Sequence, residues 1–334
     1  MPQPTVLTVI LNYKTAPMTL RAAQAARAAM GGISGGIIIV DNASRDGSFE
    51  TISDHVAQQQ WDDVRVLQAG CNGGFGAGNN VGIRAGLSDG TAPDYIYVLN
   101  SDAFPAPDAI AHLLRYLEDH PGTGFAGSYI HGEDGETHLT TFRFPSVLSE
   151  FEGSIKFGPV SRLLKGSAIP VQTPGEDRIV DWLAGASLMM RRTVLDEIGL
   201  FDETFFLYFE ETDLCLRAGR AGYSTAFVRK SEVAHIGSVT TGMKDWAKVP
   251  GYWFDSRLHY FVKNHGAFYA GCATLAHLAG GGLHWLRCLV TRKPSDVKPH
   301  LLTTMARHDL RALGRALFVS KRGKSGPGSP AIGE

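Results

Sequence analysis

Short apolar runs alternate with amphipathic stretches through the first 120 residues of the chain. Val6–Leu11, Ile37–Val40, Val64–Leu67 and Tyr95–Leu99 are continuously apolar enough to predict buried strands, while segments near 17–30, 47–60, 78–88 and 107–119 fit helices. Strands and helices in this order predict βαβ units around a mainly parallel sheet. Pro17, the pair Asp46 and Ser48, and Pro107 followed by Asp108 stand where helices start. A parallel sheet gathers the C-terminal ends of its strands at one edge. Asn12-Tyr13, Asp41-Asn42, the Asn72–Asn80 loop and Asn100–Asp102 are therefore expected to border one crevice, of a size to grip a nucleotide.

The pattern loosens over 131–178, where Gly, Ser and Pro punctuate the chain and predict a long excursion facing substrate. Ile179–Met190 reads as one buried strand, 202–221 as a loop leading into a helix, and Tyr223–Val228 with Val233–His235 as strands that close the sheet. From Ala267 to Leu286 there is no Asp, Glu, Lys or Arg, a stretch long enough for a membrane span. Gly271, Gly280, Gly281, Gly282, His277 and His284 argue instead for an apolar helix that packs on the body or lies at an interface. Leu302, Met305, Leu310, Leu313 and Leu317, with Arg307, Arg311 and Arg315 at i, i+4, i+8, predict a basic amphipathic helix. The expected organisation is a catalytic domain over 1–250, a helical, membrane-associating region over 251–320, and a disordered tail over 321–334.

The 334 residues suffice for one large α/β domain plus an appendage. Charge changes the picture more than composition does. The net −1 hides a tail, 257–334, with 12 Lys+Arg against three acids, so that +9 there faces −10 in the body. This tilt points the tail toward an anionic membrane surface. No aromatic-interleaved basic platform accompanies it, which argues against nucleic acid as a partner. Four cysteines without a C-x-x-C pair, and an N-terminus without a secretory pattern, place the chain in the reducing cytoplasm, at the inner face of the cell membrane where the tail binds lipid.

Asp102 follows the strand Tyr95–Leu99, where a carboxylate is placed to meet a metal or a phosphate. A strand-end Asp also serves as a cap, but Pro105, Pro107 and Asp108 already supply the next helix start. Gly74, Gly76 and Gly78 allow close backbone approach to a ligand or simply make a turn; position 79 is Asn, so the loop is not a dinucleotide fingerprint. Glu210, Glu211 and Asp213 crowd three acids into four residues beside Phe205, Phe206, Tyr208 and Phe209. A helix start welcomes one or two acids, yet the aromatic company fits a partly desolvated general base. Arg217 is spaced to pair with Asp213. His235, at the end of an apolar run, is either structural or a second ligand for the ion at Asp102.

Together these segments resemble the inverting glycosyltransferases of family 2, with the nucleotide-sugar-binding GT-A fold, and especially the rhamnosyltransferase-like branch that builds bacterial surface polysaccharides. The resemblance covers roughly residues 5–240. It rests on Val9–Tyr13, Val40–Ser44, Asn72–Asn80, Leu99–Asp102, Asp181–Ala186 and Phe209–Arg217. It implies an α/β fold with a mixed, mainly parallel sheet flanked by helices and a C-terminal helical extension. It further implies that Tyr13 and Asp41 hold the nucleobase, that Asn79 lies along the donor pocket, that Asn42 and Asn100 also bind the nucleotide-sugar, and that Asp102 and His235 ligate Mg²⁺ or Mn²⁺. Glu211 would be the catalytic base, Asp213 a support for that base or for the acceptor, and Trp182 and Gly185 the border of the acceptor pocket. Asn100 stands where the family's D-x-D begins with Asp, and Glu211 where Asp is commoner, so Glu210 stays open as an alternative base. The implied partners are a dTDP- or UDP-linked sugar, with rhamnose favoured, and a polysaccharide or lipid-linked glycan.

Two other readings use the same residues. A sugar-1-phosphate nucleotidyltransferase also needs a strand-end Asp and a metal, but requires a basic glycine-rich loop after the first strand, whereas Asn12–Pro17 holds one Lys and no Gly. A non-catalytic nucleotide-sugar-binding protein would have no use for the acids at 210–213.

Overall fold

The computed structural model describes residues 3–237, 246–295, 297–298 and 300–322. In chain order the first elements are β1 (Thr5–Asn12), α1 (Ala16–Ala29), β2 (Ser34–Asp41), α2 (Ser48–Gln58), β3 (Val64–Gln68), α3 (Phe75–Ala85), β4 (Tyr95–Asn100), β5 (Ala103–Pro105), α4 (Ala109–Asp119) and β6 (Thr123–His131). There follow β7 (Thr141–Phe142), α5 (Val147–Ile155), α6 (Gly158–Leu163), β8 (Pro170–Val171), β9 (Arg178–Val180), β10 (Trp182–Leu183), β11 (Ser187–Arg191), α7 (Arg192–Ile198), α8 (Glu210–Arg220) and β12 (Ser224–His235). The chain closes with α9 (Gly251–His265), α10 (Ala267–Thr291) and α11 (Leu301–Arg322). These elements gather into two compact units, one of Met1–Phe144 with Ala168–Trp246, the other of Pro145–Ser167 with Ala247–Glu334.

The first unit is built on a sheet of order β3-β2-β1-β4-β11-β6-β12-β5, with β9 beside β12. The four strands β3, β2, β1 and β4 are mutually parallel, as the alternating pattern predicts. Successive side chains serve opposite faces: Ile37 and Ile39 enter one core cluster, Ile38 and Val40 the other, and Tyr97 and Val98 divide likewise. Both faces are covered, which is why these strands are continuously apolar rather than alternating. The register sets Asn12 opposite Asp41 and Leu11 opposite Asn100, so the strand ends reach one edge together. The mixed, mainly parallel sheet flanked by helices is the expected fold class.

Three local expectations are corrected. Ile179–Met190 is three strands, because the Asp181 carboxylate accepts the Phe144 N–H at 2.9 Å and Gly185 turns the chain. Its short β10 leaves the main sheet to pair with β7 and β8. Residues 224–235 form one bent strand, with an irregularity between Val228 and Glu232. The 131–178 excursion is more ordered than its composition predicts: Ser146 and Ser149 cap α5 reciprocally, and α5 belongs to the helical unit.

Within that second unit, small residues set the packing. A Cβ on Gly280 would stand 2.1 Å from Ser154 Oγ, and one on Gly281 2.6 Å from a Leu302 methyl, so glycine lets α10 approach α5 and α11 closely. The buried Arg257 guanidinium lies between the Glu150 carboxylate at 2.9 Å and that of Asp309 at 3.2 Å. Among the described residues no helix is long and apolar enough to cross a membrane. Arg315 and Leu317 of the amphipathic stripe lie outside the described side chains, and 323–334 of the expected tail lie outside the described residues.

Candidate active site

At the end of β1, Asn12 Nδ2 donates to Asp41 Oδ1 at 2.7 Å and to Ser44 Oγ at 3.2 Å. The Ser44 hydroxyl donates to the same Asp41 oxygen at 2.5 Å, and the Ser44 N–H donates to the other at 3.1 Å. Lys14 N–H in turn donates to Ser44 Oγ. Asp41, 1% exposed, thus ties the loops after β1 and β2 together. Beside it runs a cleft of about 470 Å³, lined by Asp41, Ala43, Arg45, Gln68 and Gly70 among others. Tyr13 is half-buried, with Lys14 Nζ 5.2 Å from its ring centre.

Asn42 carries the edge onward. Its Nδ2 donates to Asn72 Oδ1 at 2.9 Å and to the Gly74 carbonyl at 3.2 Å. Gly74 has φ +91, and a Cβ there would sit 1.8 Å from the Phe206 carbonyl oxygen, so this position admits only glycine. The next N–H, of Phe75, donates to that carbonyl at 2.9 Å. The glycine-rich loop is thereby fastened to the segment before α8. Asn79 sits on α3 fully buried, donating to the Phe75 carbonyl at 3.0 Å.

Helix α8 opens from Tyr208 and Phe209, both left-handed at φ +70, and presents Glu210 and Glu211 in its first turn. Glu210 is 2% exposed and Glu211 partly buried. Burial, then the Glu211 charge beside it, holds the Glu210 carboxyl well above the usual carboxylate range. Burial also raises Glu211, opposed by hydrogen bonds from its own backbone and from that of Gly185. Glu210 Oε2, Glu211 Oε2, Asn42 Oδ1 and Asn79 Oδ1 are buried without a hydrogen-bond partner among the described residues. Asp213 is turned elsewhere: fully buried, it accepts from Arg217 Nε at 2.9 Å, while Arg217 also donates to the carbonyls of Ile198, Gly199 and Leu200.

Gly185 closes the circuit. A Cβ on it would lie 3.2 Å from Phe75 Cζ and 3.8 Å from Glu211 Oε1. The adjoining Ala186 carbonyl accepts the Asn100 N–H at 3.0 Å. Two residues on, Asp102 Oδ1 is hydrogen-bonded to His235 Nε2 at 3.1 Å, with Asn100 Nδ2 3.5 Å from that nitrogen. Trp182, on a strand that packs against α8, donates its Nε1–H to the Arg143 carbonyl at 2.9 Å and stacks on Phe142 at 4.3 Å.

Asp102 and His235 suit a divalent ion. A carboxylate oxygen and an imidazole nitrogen 3.1 Å apart are spaced as neighbouring ligands of one ion, and the N/O set fits Mn²⁺ or Mg²⁺. Among the described residues no group of three His, Cys, Asp or Glu side chains is placed to hold a metal ion. Sequence reasoning missed Phe75 and Asn72 as connectors, and His138, whose ring centre lies 6.0 Å from that of His235. His138 belongs to the segment read as an excursion, and nothing in its sequence surroundings marks it.

The family described as glycosyl transferase family 2 matches residues 9–176. An N-acetylglucosaminyl-diphospho-decaprenol L-rhamnosyltransferase of Mycobacterium tuberculosis is 30% identical over 214 residues, 62% of this chain and 68% of that protein. Rhamnosyltransferase WbbL of Escherichia coli K12 is 29% identical over 165 residues, covering 48% of this chain and 60% of that one. A crystal structure of GalNAc-T7 with UDP, GalNAc and Mn²⁺ superposes with a TM-score of 0.53 at 14% identity, over 95% of this chain and 58% of that one, and shares the fold.

Proposed function

The chain belongs to glycosyl transferase family 2 and is a glycosyltransferase of GT-A fold, and on that premise we propose that it moves a sugar, L-rhamnose above others, from a dTDP- or UDP-linked donor to a hydroxyl of a polysaccharide or lipid-linked glycan. The observation that carries this reading is the run of neighbours from Asp102 and His235, through Asn100, Ala186 and Gly185, to the Glu211 carboxylate, which accepts a hydrogen bond from the Gly185 backbone. It links a place for the donor's diphosphate to a place for a general base.

The transfer inverts the anomeric centre by direct displacement. The acceptor oxygen forms its bond to the anomeric carbon as the bond from that carbon to the diphosphate oxygen breaks, and the hydroxyl proton passes to Glu211. Burial serves this role, since a carboxylate raised above its ordinary range is a stronger base at neutral pH. Asp102 and His235 would hold Mg²⁺ or Mn²⁺, which supplies positive charge against the leaving nucleoside diphosphate. Asp41 and Asn42 keep the nucleobase side of the crevice in shape, and Tyr13 borders it. Asn79, with its free amide oxygen, faces the donor pocket in this reading. Trp182 and Gly185 border the acceptor, and Asp213 acts through Arg217 by fixing the start of α8.

The experiment is release of nucleoside diphosphate from a panel of UDP-, dTDP- and GDP-sugars, with Mg²⁺ or Mn²⁺ and then with EDTA, in the presence of prenyl-diphosphate-linked N-acetylglucosamine as acceptor. Metal-dependent release from a dTDP- or UDP-sugar is expected. Saturable nucleotide binding with no release from any donor would reduce the protein to a binding module.

A further inference from the structure

Helix α10 is turned inside out for a helix in water. Every exposed position between Phe268 and Val290 is apolar. Phe268 is 88% exposed, Leu275 68%, Leu286 50%, Leu289 61% and Val290 76%, with Leu283 on the same side. At 3.6 residues per turn these positions fall on one face. The opposite face holds the polar and the small residues: Thr274 donates to Asp309 at 2.5 Å, His277 bonds Glu150 at 2.8 Å, and Gly280 and Gly281 make the close contacts with α5 and α11. Amphipathic helices of soluble domains put large apolar residues inward and polar ones outward. Here the large side chains are offered to the surroundings, as a contiguous apolar strip with Trp285, 59% exposed, at its margin.

The charge around the strip says what covers it. No charged residue occurs from Ala267 to Leu286, and the exposed Arg292, Lys293 and Lys298 follow its C-terminal end. Helix α11 exposes Arg307 and Arg311 on either side of Leu310, while its one acid, Asp309, is buried against Arg257. An apolar strip finished by basic residues matches the interface of a bilayer that carries anionic lipid. We propose that the exposed face of α10 is a docking surface for an anionic membrane, lying in the plane of the interface with Leu286, Leu289 and Val290 among the acyl chains and Arg292 and Lys293 at the lipid phosphates. This goes beyond the transferase reading, and the two fail separately, because binding is read without donor, acceptor or metal.

The test is flotation of the full chain with vesicles of phosphatidylcholine alone and of phosphatidylcholine with phosphatidylglycerol, alongside its mass in solution by light scattering. Wild type is expected to float with the anionic vesicles. Leu286→Ser, Leu289→Ser and Val290→Ser combined should lower the partition coefficient at least roughly tenfold, because the buried apolar area is lost. Arg292→Glu with Lys293→Glu should remove the preference for phosphatidylglycerol, also by roughly tenfold or more. All five positions are exposed, so folding is expected to persist and is checked by circular dichroism. A wild type that floats with neither vesicle, or variants that float as well as wild type, would overturn the proposal. So would a wild-type dimer that the triple serine variant converts to monomer, since the strip would then belong to a second copy of the chain.

Discussion

Asp41 and Glu210 are buried alike, at 1% and 2% exposure, yet they keep opposite company. Asp41 accepts three hydrogen bonds, from Asn12 Nδ2, the Ser44 hydroxyl and the Ser44 N–H. Glu210 leaves Oε2 unmatched, and its neighbour Glu211 does the same. A buried polar group is ordinarily satisfied, so each exception needs an explanation. The contrast separates two uses of a carboxylate at the same sheet edge: one builds the edge, and the other is held ready for a proton or a ligand. The difference arises from the supply of donors. The loop after β2 and the Asn12 side chain supply three donors to Asp41, whereas at the start of α8 backbone N–H groups reach the acids but leave one oxygen of each without a partner among the described residues.

The widest separation is expected in turnover. Glu211→Gln keeps the shape and removes the base, so transfer should fall by roughly 10²–10⁴-fold while donor affinity, measured calorimetrically, stays near wild type. Wild-type turnover should rise with pH through the apparent titration of the Glu210–Glu211 pair, since only the ionised base accepts a proton. If Glu211→Gln retains a tenth or more of wild-type turnover, the base lies elsewhere and Glu210 is the next residue to test.

The joint between the glycine-rich loop and the acid segment comes next. Gly74→Ala forces a Cβ to 1.8 Å from the Phe206 carbonyl at φ +91, and should cost roughly 3–5 kcal/mol by urea unfolding. A loss below about 1 kcal/mol would mean that the two loops are not locked together in solution. Asp41→Asn is milder. One oxygen still accepts, but the new amide meets the Ser44 N–H donor to donor, for an expected loss of about 1–3 kcal/mol.

Much of this contrast was legible in the chain, and the parts that were not have a common cause. The four parallel strands announce themselves because both faces are buried, and their register then delivers Asn12, Asp41 and Asn100 to one edge. The acids of α8 stand out by density alone. What the sequence does not carry is which acid is satisfied. Asp213 looks as available as Glu211 until Arg217 is seen to take it, and Asp41 looks like a free ligand until Ser44 closes on it. Helix α5 and the outward face of α10 were hidden for the same reason. Gly280 and Ser154 are small because of each other, and no local period records a contact 126 residues apart.

The smallest effect is also the most discriminating. Replacing Glu210 by Met removes a carboxyl that lacks a partner for Oε2 and keeps an unbranched chain of similar length. The folded-state pKa of Glu210 stands above its ordinary value of 4.5, so its contribution to stability is fully present below that value and is lost as pH rises through the folded pKa. Wild type should therefore match Glu210→Met most closely in acid and fall behind it toward alkaline pH, by about 1 kcal/mol in urea unfolding near pH 8. Asp41 supplies the control. Its variant should be less stable than wild type near pH 8, because the native carboxylate accepts three hydrogen bonds that the amide cannot all accept. If Glu210→Met is instead destabilising near pH 8, Glu210 has a partner in solution, and the division between a satisfied and an unsatisfied carboxylate at this edge fails.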